Sequence, residues 1–118
     1  MNCKTIRLEL AGTRDFPAGS VSRGYLIRIP LNESGSIDEA SLAEAPQRAT
    51  VRRFWSTEPD ESGRVVRVNG HWVLRCNGKP DRPLATTSPS FSVGEAVAVH
   101  ETNGAPLPFR VASVRRYG

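Results

Sequence analysis

A chain of 118 residues with 38% hydrophobic and 24% charged content has room for one domain and one core, so residues 1–118 read as a single domain. That composition excludes the disordered class, and no apolar run approaches the roughly 20 residues a membrane-spanning helix needs. The formal charge of +4 is unevenly placed: residues 1–32 carry +3, residues 33–61 carry −4 and residues 62–118 carry +5.

Ile6, Leu8 and Leu10 alternate with Arg7 and Glu9, the period of a strand with one face buried. The same charges interrupt the segment where a signal peptide would carry its apolar run, so the expected location is the cytoplasm. Residues 11–24 contain Pro17 and three glycines and read as a loop. Tyr25, Ile27, Ile29 and Leu31 resume the alternation, and Pro30 places the strand's end there or the strand at an edge.

Ser36-Ile37-Asp38-Glu39 has the spacing of a capping box with Ser36 as the cap. It opens a short helix that Pro46 stops. Seven of the twelve acidic residues lie between Glu33 and Glu61, and a solvated acidic face is expected of them. Thr50 to Trp55 forms the next strand, followed by a turn-rich connector at residues 58–63.

The strongest local signal is Arg64 to Cys76, two β-branched and aromatic runs joined by Asn69-Gly70. That dipeptide supplies the positive φ angles of a type I′ turn and fixes a hairpin register. Val68 then opposes His71, Arg67 opposes Trp72, Val65 opposes Leu74 and Arg64 opposes Arg75. The core face shows Val65, Trp72, Leu74 and Cys76, with Arg67 over the Trp72 ring. The opposed Arg64 and Arg75 call for an anion between them. Glu58, Asp60 or Glu61 could supply it, as could a bound phosphate or carboxylate.

Residues 77–90 read as a long loop that is functional or mobile. Ala96 to Val99 and Phe109 to Arg116 form the last strand pair, with Glu95 expected to ion-pair with Arg110. Pro106 and Pro108 predict a splayed tip around Asn103-Gly104. Arg115, Arg116 and Tyr117 make a basic end to the chain. The fold expected is mainly β, on the border of α+β: a small antiparallel barrel or strongly curved sheet of about seven strands with one short helix.

No motif identifies a catalytic residue, a metal ligand or a cofactor. Cys3 and Cys76 are expected as free thiols, and with His71 and His100 they lack the spacing of a zinc site. Arg52 and Arg53 are adjacent on a strand and must point to opposite faces. The residues available for anion or nucleic-acid binding are Arg64, Arg75, Arg67, Arg52, Arg53 and Arg110, with Trp72 and Trp55 as stacking platforms or core. Fourteen arginines among sixteen basic residues also fit a coding bias without any selection for binding.

Several phrases carry a resemblance. Phe16-Pro17-Ala18-Gly19-Ser20 through Gly24-Tyr25, Val51-Arg52-Arg53-Phe54-Trp55 with Glu58-Pro59, Gly70-His71-Trp72, Val93-Gly94-Glu95, and Pro108-Phe109-Arg110-Val111 with Ser113-Val114-Arg115 resemble a family of short uncharacterised bacterial proteins. The resemblance covers nearly the whole chain and implies a stand-alone bacterial protein. It implies no activity or cofactor.

The function expected is therefore a small non-enzymatic binding or interaction module, for a protein partner or for single-stranded nucleic acid through a basic face. It is expected as a monomer or weak homodimer without membrane contact. The alternative is a small hydrolase or ligand-binding enzyme acting on an anionic substrate, with His71 or His100 as general base and an arginine pair holding the anion.

Overall fold

The computed structural model describes residues 3–86, 90–101 and 105–116. Eight antiparallel strands follow one another around a closed barrel: β1 Cys3–Leu10, β2 Ser20–Pro30, β3 Thr50–Trp55, β4 Glu58–Val68, β5 His71–Cys76, β6 Arg82–Thr86, β7 Ala96–His100 and β8 Pro106–Arg116. β8 pairs with β1 to close the ring, and β2 and β3 are joined through a short helix, α1 Glu39–Glu44. No helix among the described residues is long and apolar enough to cross a membrane.

The alternation read from the sequence sets the inside. Ile6 pairs with Ile27 and Leu8 with Tyr25, and their side chains meet Val51, Val65, Leu74, Val99, Phe109 and Val111 in one core. Eight strands leave an interior that side chains can just fill, and here they fill it. Tyr25 and Phe109 meet edge to face toward its first end, with centroids 5.4 Å apart. The barrel has two ends. The first carries the β1–β2 loop and the β3–β4 turn; the second carries the Asn69-Gly70 turn and α1, which buries Leu42.

Asn69 and Gly70 adopt φ of 50° and 80°, and the hairpin has the register expected from its sequence. Three local expectations are corrected. The helix cap is Asp38 rather than Ser36: the Asp38 carboxylate accepts from the Ser41 N–H, and Ile37 is drawn into a bridge with Leu31. The connector at 58–63 is the first half of β4. The long loop at 77–90 contains β6, which makes eight strands rather than about seven. The inward positions of β6 are Arg82, Leu84 and Thr86, so it lacks an apolar alternation. The tip around Asn103-Gly104 and Tyr117 lie outside the described residues.

Two glycines allow the sheet to bend tightly enough to close. A Cβ on Gly24 would sit 1.8 Å from the Leu8 carbonyl oxygen, and one on Gly63 would sit 1.9 Å from that of Arg75. Neighbouring backbone occupies both positions, which is how glycine serves barrel corners. Gly24→Ala and Gly63→Ala are each expected to lose about 1–3 kcal/mol, the scale of overpacking. Urea denaturation measures this, and a loss under about 0.5 kcal/mol, the level of an ordinary surface substitution, would show the corners to be relaxed.

Candidate functional site

At the first barrel end the inward positions change from apolar to charged. Arg53 and Arg82 are 6% and 2% exposed, so their charges require partners. Arg53 reaches Glu101 and Glu58 at 2.9 Å each and Glu61 at 3.5 Å. Arg82 reaches Glu61 at 3.0 Å, and its Nε lies 3.9 Å from Glu101. The buried Tyr25 hydroxyl donates to Glu101. Burial and the Glu101 carboxylate push this phenol far above its ordinary range, so it stays a neutral donor. Burial opposes the charge of Arg53, yet Glu101 and Glu58 more than offset it.

Glu61 therefore leaves the expected solvated acidic face, and with Glu58, which stays exposed, it serves as a counter-ion to the barrel's own arginines. With three carboxylates on two guanidiniums, the cluster satisfies both arginines internally and keeps one net negative charge. It is a plug for the barrel end.

The sequence-nominated residues divide into two groups. Arg53 and Arg67 belong to the inward register. Arg53 covers the Trp55 ring at 4.2 Å and Arg67 covers Trp72 at 5.1 Å while pairing with Glu39. Both tryptophans are half-buried, one at each barrel end, with a guanidinium on a face. Arg52, Arg64, Arg75 and Arg110 project outward and are exposed. The anion beside Arg75 is Asp81, in a two-point contact at 2.9 and 2.8 Å, rather than Glu58, Asp60 or Glu61. The Arg75 guanidinium holds the Asp81 carboxyl below its usual value. Arg110 stands opposite Ala96 and Glu9, while Glu95 pairs through its backbone with Val111, so the expected Glu95–Arg110 pair is not formed.

The outward register also assembles a pattern that no linear reading could show. Arg115 opposes Thr5, Thr5 opposes Arg28, Arg28 opposes Thr50, Thr50 opposes Arg64, and Arg64 opposes Arg75. Four arginines thus share one level of the outer wall across six strands. At a strand spacing of about 4.8 Å the row spans roughly 24 Å. Arg64 and Arg115 have no ion-pair partner among the described residues. Below the row, Arg28, Thr50, Arg52 and Ser62 border a groove of about 270 Å³ floored by Leu26 and Gly63. Arg52 faces Asp60 only at 4.0 Å.

His100 is outward and exposed while Glu101 turns inward, and His71 is exposed at its turn, so neither histidine hydrogen-bonds a carboxylate or hydroxyl among the described residues. No group of His, Cys, Asp and Glu among those residues is arranged to hold a metal ion. Cys3 and Cys76 are free and buried at opposite barrel ends. No family model, no curated protein and no solved structure matches the chain.

Arg53→Met leaves the largely buried Glu61 and Glu101 with Arg82 alone and is expected to cost about 2–4 kcal/mol, whereas Arg52→Met on the outer wall stays within about 0.5 kcal/mol. Equal effects in thermal or urea unfolding would refute the inward assignment. Burial also raises the Cys76 thiol, as it does the Tyr25 phenol. The native state therefore keeps two protons that the unfolded chain releases from about pH 8.5 and pH 10 upward. The stability these two groups contribute is fully present below about pH 8.5 and is lost as pH rises beyond it. Cys76→Ala should flatten the first part of that fall and Tyr25→Phe the second, as read from urea midpoints between pH 7 and 11.

Proposed function

We propose that this protein is a non-enzymatic binding module for single-stranded nucleic acid, gripping the phosphate backbone along the outer arginine row. The observation that carries the reading is the alignment of Arg115, Arg28, Arg64 and Arg75 at one level of the wall, with Thr5 and Thr50 between the first three and Arg75 directly beside Arg64. Threonine at the intervening positions leaves room for a chain to lie against the sheet and offers hydroxyl donors to phosphate oxygens. Arg52 extends the row toward the groove.

The tryptophans take no part in this reading, because each has a guanidinium of the protein's own against it. Without stacking platforms, affinity comes from phosphate contacts, and recognition is tolerant of base sequence. The plug, whose arginines are taken up by the protein's own glutamates, and the isolated histidines favour binding over hydrolysis.

Four phosphate contacts to a single strand give an expected slope of about −3 in log K against log salt. Fluorescence anisotropy with a labelled oligonucleotide should show binding that weakens about 50-fold between 50 and 200 mM salt, a consequence of that slope. Arg64→Ala should lower the slope by about 0.7 without changing preference among sequences. Absence of binding at 50 mM salt, or binding unaffected by Arg64→Ala and Arg28→Ala, would overturn the reading.

A further inference from the structure

A second like-charged pair lies across the seam that closes the barrel. Lys4 stands directly opposite Arg116, on the inward register of Ile6 and Val114. In the Arg64–Arg75 pair Asp81 neutralises Arg75, but neither Lys4 nor Arg116 has an ion-pair partner among the described residues. Directly opposed like charges destabilise a sheet, so the arrangement leaves an unmet demand for an anion.

Both cations border a recess of about 360 Å³ at the second barrel end, whose apolar wall is Leu31, Phe91 and Val114. Leu31 and Phe91 are 2% and 5% exposed, so they present fixed surfaces. Asn32 joins the lining. Its Oδ1 is spent accepting from the Ser34 N–H and hydroxyl and the Ser36 N–H, which leaves only its N–H donors for a ligand. The rim is tied in place, since the Gly35 N–H donates to Asn32 and the Phe91 N–H donates to Gly35. Glu33 also lines the recess, so two cations face one carboxylate and the balance is a single positive charge.

We propose that this recess binds a small amphiphilic monocarboxylate, its carboxylate between Lys4 and Arg116 and its apolar body against Leu31, Phe91 and Val114. The volume is near the lower limit of ligand pockets, roughly 300 Å³, and holds about a dozen non-hydrogen atoms. A polar side on which two cations and the Asn32 amide outweigh one carboxylate, over an apolar floor, selects an anion carrying a short chain or ring over either a bare anion or a neutral hydrocarbon. The site faces the barrel end, apart from the arginine row on the outer wall, and does not depend on nucleic-acid binding.

Octanoate is a suitable probe, followed by ¹³C methyl resonances of Leu31 and Val114 in the intact protein. Saturable shifts are expected with octanoate below its micellar concentration. Binding should be about tenfold weaker with octanamide, which loses the charge-assisted contacts, and weaker still with acetate, which loses the apolar body. Lys4→Met and Arg116→Met should each weaken octanoate binding, while Arg64→Ala leaves it unchanged and still impairs the nucleic-acid titration. The proposal is overturned if octanoate gives no saturable shift, if octanamide binds equally well, or if both single variants, folded by their methyl dispersion, retain full affinity.

Discussion

Closure of the sheet between β1 and β8 is the constraint on which the rest of this molecule depends. In an open sheet a strand can slip or fray at its edge, and the inward and outward faces are only as well defined as the packing beneath them. Once Cys3–Leu10 and Pro106–Arg116 are hydrogen-bonded, each register is held from both sides. The outward arginine row and the inward charged plug are both products of that register. Neither Arg28 and Arg64 nor Arg53 and Glu101 are near in sequence.

The plug shows how the barrel handles the chemistry of its end. A purely apolar interior would stop at an open rim and leave Tyr25 and Phe109 close to water. Two arginines with three glutamates end the core, with hydrogen bonds to most of the charged atoms and the Tyr25 hydroxyl brought in as a neutral donor. Buried ion pairs of this kind contribute little net stability compared with an apolar replacement, but removing one partner is costly. The wall outside has the opposite character, with exposed cations only partly matched by acids.

Much of the architecture was legible in the sequence where alternation was regular. Ile6-Leu8-Leu10, Tyr25 to Leu31 and the Asn69-Gly70 hairpin with its register have the expected form, because period-two burial and turn chemistry are local signals. β6 was not legible: its inward residues are Arg82, Leu84 and Thr86, and the first faces carboxylates that only the barrel brings near. The opposite orientations of Arg52 and Arg53 followed from their adjacency, but which of them turned inward depended on Glu101, far along the chain. The cap assignment failed because Ser36 and Asp38 are both good capping residues, and pairing of Leu31 with Ile37 started the helix two residues later than expected. The arginine row had no linear signal, since its members are joined only by cross-strand register.

Every seam of the barrel but one joins strands consecutive in sequence, so hairpin formation can build most of the sheet from local contacts. The exception pairs the two ends of the array and carries the largest loop-closure cost. A chain that has formed seven seams and not the eighth exposes two unpaired edges, the state in which one molecule can add its strands to another. Cations outnumber acids along those edges, with Lys4 and Arg7 on one and Arg110, Arg115 and Arg116 on the other, and Lys4 meets Arg116 directly whenever β1 of one molecule meets β8 of the next in this register. Repulsion between molecules works against such runaway pairing. Within one chain the same repulsion is outweighed by the core that closure completes, so the seam's charge favours joining a strand to its own chain over joining it to a stranger's.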